Sequence, residues 1–503
     1  MAEVKSKTPD TASRALGSEE PSGASSPDAT STEGIRIDRA LEKRTIRKFD
    51  IFVMPQMVIL VVISHLDRTN IGNARVFGFE EGIGLHGTQF NNISMLFYVL
   101  YIVFEIPWVM AVKRWGANRI LAIAFVCWSA ITLGTGFIHN YRQAVAMRLL
   151  LGLFEGGLFP SLTFVISTIY DRKSQAKRVA VLYGSNALSG AFGGLIAYGI
   201  QLMGDRRGLE AWRWLFIVEG CISMVLCALS WVTLPTNAEK AWFLNTEEKA
   251  LMEARKYRDI VYKGDDRFQW AYMWMALKDP FIYIAGFGLF CASIPLFGFA
   301  TFLPTIIKGL GYTSLEANYF TIPVYLFGCV TLAITSSISD YLNKRAIIAF
   351  CVTIPVIIGY AIVVGTANHG VGYFAMFLCG GGKTVSIHFH QNVRIYSFNT
   401  TVMSWVSNNL SPDYKRSVGI PLFASLANIS GLIASQIYPS SDGPRYVTGN
   451  AISMSTEVVA MLTIVMIWLL LRRREAEKER MRQHGTQTNG MEDDRGLDFK
   501  YTL

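Results

Sequence analysis

The sequence is short of charge. Only 17% of its 503 residues are Asp, Glu, Lys or Arg, where a soluble domain carries about a quarter. The deficit is uneven: charge collects at the two ends and in one central stretch. The rest is a series of apolar blocks of about twenty residues, the length that crosses a bilayer core of roughly 30 Å as a helix. A soluble core has no need of that repeated length. Alternation of polar and apolar residues over about ten positions, the mark of a membrane β-barrel, is missing. Cysteine is scarce, and Cys127, Cys221, Cys227, Cys291, Cys329, Cys351 and Cys379 all lie inside apolar blocks. That argues for small buried hydrophobes rather than a disulfide framework. No Cys/His cluster has metal-ligand spacing, no glycine run ends in the Gly-Lys-Ser/Thr of a phosphate loop, and no serine sits in a nucleophile elbow. The expectation is a protein that is not an enzyme, with no metal site and no cofactor.

What is present follows a layout. Residues 1–34 are rich in Ser, Thr, Pro, Gly and Glu with no apolar period, which predicts a disordered cytoplasmic tail. They lack the basic start and short apolar run of a signal peptide, so the first span is expected to insert without cleavage. Twelve spans follow, at about 50–67, 92–112, 119–138, 143–168, 180–203, 214–234, 281–305, 317–338, 346–365, 371–408, 418–438 and 448–471. The polar stretch 235–280 splits them six and six, with Asn245-Thr246-Glu247-Glu248 as a capping-box-like helix start inside it. The predicted fold class is therefore an all-α membrane protein of twelve transmembrane helices in two six-helix bundles. The domains are a tail (1–34), an N-terminal bundle (35–234), a cytoplasmic linker (235–280), a C-terminal bundle (281–471) and a charged cytoplasmic tail (472–503).

The net charge of +9 belongs to this layout. The basic residues flank apolar spans, which points to a cytoplasmic-face bias and not to nucleic acid. With the N-terminus inside, short inner loops hold 11 Lys and Arg against 8 outside, and the juxtamembrane stretches 36–48 and 472–482 raise this to 23 against 8. Both termini are expected in the cytoplasm. Six spans, a central loop and six more is the plan of a transporter whose halves rock about a site near the midplane.

An ionisable residue inside an apolar span is costly and marks a functional candidate. The fourth span carries Arg148-Leu-Leu-Leu-Gly-Leu-Phe-Glu155-Gly-Gly. A spacing of seven puts both side chains on one helix face, about 10 Å apart along the axis, too far for an easy direct pair. An arginine can grip a carboxylate bidentately, and a buried carboxyl can carry a proton. The two suit proton-coupled movement of an organic anion. The competing account is that Arg148 pairs with Glu105 or Asp67 and merely holds helices together. Glu105, in Tyr101-Ile-Val-Phe-Glu105-Ile-Pro107, is a proton site or a packing partner. Glu219, in Trp212-Arg213-Trp214-Leu-Phe-Ile-Val-Glu219-Gly220, is expected to be a structural anchor or to pair with a basic neighbour. Asp67 and Arg68 end the first predicted span, point in different directions, and fit edge-of-membrane anchoring. Gly184, Gly190, Gly193, Gly194 and Gly199 mark close helix packing or a rocking surface. Sequons at Asn92, Asn399, Asn409 and Asn428 fall within spans or at the inner face, where glycosylation is not expected.

Several of these segments are familiar in combination. Leu66-Asp-Arg-Thr-Asn70-Ile-Gly-Asn73-Ala74, Phe104-Glu-Ile-Pro107, the Arg148–Gly156 run, Trp212-Arg-Trp-Leu-Phe-Ile-Val-Glu219-Gly220, Phe302-Leu-Pro-Thr-Ile-Ile-Lys-Gly-Leu-Gly-Tyr312 and Trp405-Val-Ser-Asn-Asn409 occur in order. From about Arg39 to Arg474 the chain resembles the fungal anion:cation symporters of the major facilitator superfamily, which include allantoate and nicotinate permeases. In related organic-anion transporters the fourth-span arginine contacts the substrate anion, and the glutamate along the same face is tied to proton coupling. The resemblance implies substrate contact at Arg148, Asn70, Trp405 and Asn409, and proton coupling at Glu155, Glu105 and Asp67. It implies as partners a small carboxylate, such as a vitamin or ureide, together with protons and the lipid bilayer, in a plasma-membrane monomer. Alternative readings keep the fold: an exporter of a fungal secondary metabolite, or a nutrient sensor built on a transporter.

Two departures from the family stand out. Leu234-Pro-Thr-Asn-Ala-Glu replaces an acidic-proline pattern after the sixth span. Gly382-Lys-Thr-Val-Ser-Ile-His388-Phe-His390-Gln-Asn-Val-Arg394 interrupts the tenth span. Lys383, His388, His390 and Arg394 are expensive in lipid, and deleting about a dozen residues restores an ordinary span length. The expectation is a retained intron or gene-model error; sequencing the mature transcript tests it.

Overall fold

The computed structural model describes residues 38–263 except 171 and 236, 277–342 with 274, 345–381, 402, 405–406, 409–410, 413–484, 494–497 and 499–501. Every regular element among them is helical. In chain order these are α1 (Arg39–Phe52), α2 (Met54–Val76), α3 (Phe79–Gly82), α4 (Gln89–Trp115), α5 (Ala117–Thr135), α6 (Tyr141–Glu155), α7 (Leu158–Ile169), α8 (Arg172–Met203), α9 (Ala211–Thr233) and α10 (Thr246–Lys263). Then come α11 (Pro280–Gly309), α12 (Ser314–Leu342), α13 (Arg345–Gly365), α14 (His369–Gly381), α15 (Asp413–Ala434) and α16 (Val447–Gln483). Among the described residues, eight stretches are long and apolar enough to cross a membrane. A spanning segment must satisfy its backbone internally, and a helix does so without help from neighbours.

The burial pattern is that of a protein dissolved in lipid. Val232 is 80% exposed, Val225 69% and Ile106 65%, while Asp67, Arg148, Glu155 and Glu219 are buried. In water this arrangement would be costly twice over; in a bilayer the apolar coat is solvated and the charges are sheltered.

The compact unit formed by residues 38–54 and 235–263 has its own small core. Phe49 meets Phe243 edge-on at 5.0 Å, Lys48 Nζ pairs with Glu248 at 2.7 Å, and Arg255 pairs with Glu42 at 3.2 Å. The Asn245 N–H donates to Glu248 Oε2 at 2.9 Å, so the capping box closes as the sequence suggests. Burial alone would raise the Glu248 carboxyl, but the bonds from Lys48 and Asn245 outweigh it and hold it below the usual range.

In the other unit, residues 55–234 and the chain from 277 onward pack together. One group of hydrogen bonds between them lies where α2 ends and α4 begins. Asn91 Nδ2 donates to the Ser435 carbonyl at 2.7 Å, and Gln436 Nε2 donates to Asn92 Oδ1 at 3.0 Å. Arg75 donates to Ser440 at 2.6 Å and lies 4.4 Å from the Phe90 ring. Helix α8 lies on α12 with Gly190 against the Tyr325 ring and Gly194 against Thr321, and Gly193 lies against Leu66 of α2, so three of the expected packing glycines do face another helix.

One predicted boundary is corrected. The first span was expected to end at residue 67, but α2 runs to Val76. The polar run Asp67–Asn73 lies inside the helix and is buried; its polarity reflects an interior surface, not an exit from the membrane. Arg68 and Arg75 therefore leave the outer-loop count. The fourth span, expected at 143–168, is found at Tyr141–Ile169, with a two-residue turn at Gly156-Gly157 between α6 and α7. Residues 1–34, Asn399 and the interrupting segment 382–394 lie outside the described residues.

Candidate functional site

Helices α2, α4 and α6 meet closely because α6 presents glycine. A Cβ at Gly152 would overlap the Phe97 carbonyl of α4, and one at Gly156 would overlap the Tyr101 carbonyl. Only glycine lets the two backbones approach this far. The close approach brings the rings of Phe97 and Tyr101 against Arg68, 5.2 and 4.6 Å from its guanidinium carbon. At these distances the ring faces attract the cation.

Arg68 reaches Glu155 with Nη2 at 2.6 Å and Nε at 3.1 Å. Ser64 Oγ donates to the same oxygen, Oε1, at 2.8 Å. Glu155 Oε2 is buried with no hydrogen-bond partner among the described residues. Arg148 lies two turns back on α6, only 5% exposed, and its Nη2 is likewise without a partner. Glu155, Asp67 and Tyr98 are within reach of the Arg148 charge, yet it makes no ion pair with them among the described residues. The account in which Arg148 only bolts helices together through Glu105 or Asp67 is thus not what the side chains do.

The remaining sequence candidates separate into groups. Asp67, on α2, accepts from Ser223 at 3.4 Å, and its Oδ1 has no partner. Asn70, fully buried one turn on from Asp67, accepts from Asn73 at 3.0 Å through Oδ1 and keeps a free Nδ2. Glu105 accepts from Asn428 of α15 at 3.3 Å, a bond across the two halves of the bundle. Trp405 is buried in a hydrophobic cluster with Phe281, Ile282, Leu410 and Phe423, and Asn409 donates back to its carbonyl at 2.9 Å. The structure thus brings Asp67, Arg148 and Glu155 together and puts Trp405 into that hydrophobic cluster, with Asn409 bonded to its carbonyl.

Two residues depart from the sequence expectation. Arg68, placed at the end of the first predicted span, fits a membrane-edge anchor, but in the structure it holds Glu155. The available signal is Ile71 and Ala74, apolar residues at helical spacing among the polar ones. Glu219 was expected to anchor or to pair with a basic neighbour. Instead both its carboxylate oxygens are buried without a hydrogen-bond partner among the described residues, and the anchoring falls to Arg213. Arg213 pairs with Glu210 at 3.2 Å and donates to the Gly136 and Ile138 carbonyls at 3.2 and 2.6 Å.

Comparison with known proteins fits this geometry. Residues 57–435 match the model of the Major Facilitator Superfamily. An uncharacterized transporter of Schizosaccharomyces pombe is 36% identical over 472 residues, covering 94% of this chain and 92% of that one. The high-affinity nicotinic acid transporter of Saccharomyces cerevisiae is 35% identical over 442 residues, 87% of this chain and 80% of its own. Among solved structures, the E. coli xylose transporter XylE in a partially occluded inward-open conformation superposes with a TM-score of 0.63. That alignment covers 83% of this chain and 98% of XylE at 12% identity, a likeness of fold alone.

Proposed function

The chain belongs to the major facilitator superfamily of membrane transporters, and from that premise we propose that it imports a small organic anion together with protons by alternating access. The observation that carries the proposal is the buried trio of Arg68, Glu155 and Arg148. One arginine is occupied by a carboxylate at 2.6 Å, and the other holds an unsatisfied donor in the same interior. A buried cation with no counter-ion is expensive. A substrate carboxylate supplies the missing charge and two oxygens for the guanidinium fork. A proton on Glu155 weakens its hold on Arg68, which then adds a second cation for the anion. Proton and anion therefore favour each other, which is the linkage a symporter needs.

Polar contacts join the first six spans to the later ones both where α2 finishes and deeper, between Glu105 and Asn428; alternating access requires contacts of this kind to part and re-form as the halves rock. Withdrawing Arg68 and Arg75 from the outer loops leaves the Lys and Arg bias steeper, which supports cytoplasmic termini. A plasma-membrane location and a monomer complete the reading. The relative that carries nicotinic acid makes a compact carboxylate the first substrate to try. The test is uptake of radiolabelled nicotinate, pantothenate, biotin and allantoate at two external pH values. Accumulation of one of them, faster at the lower pH, is the expected result. Uptake equal at both values would sink the proton coupling, and no accumulation of any carboxylate would sink the anion assignment.

A further inference from the structure

We propose that Glu219 and Asp67 form a two-carboxyl proton site, distinct from the arginines that take the anion. The proposal rests on the proton-coupled reading above and names a residue that reading does not use. Asp67 on α2 is 2% exposed and Glu219 on α9 is 4% exposed. Ser223 of α9 donates to Asp67 Oδ2 at 3.4 Å. Glu219 lies four residues before Ser223, so it shares the face of α9 that meets Asp67. Asp67 Oδ1 and both Glu219 oxygens are buried without a hydrogen-bond partner among the described residues. Neither carboxylate has an ion-pair partner among them.

The groups facing the pair are few. From α6, Arg148 and Glu155 act on Asp67, and from α5 the Trp128 indole lies beside it, though not in hydrogen-bonding geometry. Asp67 is the charge that acts on Glu219. His65, two residues before Asp67, is turned to α8, where its Nδ1 meets Ser189 Oγ at 2.9 Å.

Two ionised carboxylates side by side, away from water, repel each other and forgo hydration. One proton resolves both costs: it bonds to an oxygen of one carboxyl and is donated toward the other, leaving a single shared negative charge. No other bond forms or breaks. Arg148 then links this site to the substrate. While Arg148 is bare, its positive charge favours an ionised Asp67. Once an anion neutralises Arg148, that pull is gone and the pair keeps its proton. Anion and proton are therefore bound together and released together.

The experiment is an infrared pH titration of the purified full-length protein, following the carbonyl band of protonated carboxyl groups. Asp67→Asn and Glu219→Gln are each expected to lose the same titrating band. Glu219→Asp is expected to keep a band, shifted in its midpoint. A Glu219→Gln protein with the wild-type band overturns the proposal. If Glu219→Gln does not fold, Glu219→Asp and Asp67→Glu serve instead: the shared site requires both to shift one band, and a shift in only Asp67→Glu overturns it. Nicotinate, pantothenate, biotin and allantoate uptake under an imposed pH gradient separates the two levels. A wild type that shows the shared band but takes up nothing faster at low pH sinks proton coupling and leaves the pair standing. A wild type with pH-driven uptake and an unaltered band in Glu219→Gln does the opposite.

Discussion

The protein buries charge in two places, and it treats them differently. At the start of α11 and α15, Lys415 bridges Asp279 at 2.6 Å and Asp494 at 2.5 Å. Arg474 of α16 donates to Asp279 at 2.8 Å and forms a looser ion pair with Asp494 at 3.6 Å. Tyr501 donates to Asp494 at 3.0 Å, and Lys478 donates to the backbone carbonyls of Asp494 and Phe499 at 2.6 and 2.7 Å. Each carboxylate there faces a cation, and the C-terminal segment is what completes the set. In the middle of the membrane, by contrast, the Arg68–Glu155 pair is closed at 2.6 Å, while Arg148, Asp67 and Glu219 are buried and make no ion pair among the described residues. A neutralised cluster holds helices. An unneutralised one stays only where something else, a substrate or a proton, balances it.

That comparison breaks most sharply at Arg148. Arg148→Ala is expected to abolish carboxylate uptake, by roughly thirtyfold or more for a lost charged contact of ~2 kcal/mol, with surface expression unchanged. Arg148→Lys should fare little better, because a point charge does not replace a planar fork. Glu155→Gln should also lose uptake. Normal uptake by Arg148→Ala, measured beside surface labelling, would remove Arg148 from the site.

The paired cluster should respond in stability instead. Lys415→Met leaves Asp279 and Asp494 short of a partner, a change that costs about 3–5 kcal/mol when a buried pair is broken. The thermal midpoint in detergent should fall, while the substrate preference of the protein that survives is unchanged. A Lys415→Met variant with wild-type thermal stability but altered substrate choice would reverse the assignment of the two clusters.

Acidity offers a milder perturbation. Burial alone would raise the Asp279 carboxyl, but Lys415 and Arg474 outweigh it and hold it down at about 2. An unfolded aspartate titrates at about 3.9. The depressed group therefore contributes stability that is fully present above about pH 4 and is lost as pH falls toward 2, on the order of 2–3 kcal/mol. Asp279→Asn should lose that part of the pH dependence, read as thermal midpoint against pH. An identical acid limb in both proteins would show that Asp279 is not the group responsible.

The smallest effect is expected in the separate unit of α1 and α10. Glu248→Gln removes the Lys48 pair and weakens the cap at Asn245, worth about 1 kcal/mol. Hydrogen exchange at the start of α10 should quicken while uptake is unaffected. Lost uptake here would mean that this unit takes part in transport.

How much of this was legible beforehand depended on the range of the interaction. The helical membrane class followed from block length, and the Asn245–Glu248 cap from four adjacent residues. Arg148 and Glu155 were visible because charge in an apolar stretch is conspicuous in one dimension. Arg68 was not, since Asp67–Asn73 looks like the polar end of a span until α2 is seen to continue to Val76. Glu219 was conspicuous too, but its lack of a partner is a statement about what surrounds it. The segment 472–503 looked like a simple charged tail, yet Asp494 is fully buried against Lys415, 79 residues away.

The sequence by itself determined that the chain is a bundle of membrane helices, because the free energy of each span is set by its own residues and the thickness of the bilayer. It also determined which residues are too costly to be there without a purpose. Only the tertiary structure decided which of those charges are neutralised. Neutralisation depends on side chains from α2, α6 and α9, or from α11, α15 and α16, meeting within a few ångströms, and no local pattern encodes that distance. The split between a clamp at the helix ends and an unbalanced site within the membrane is therefore a property of the packed fold.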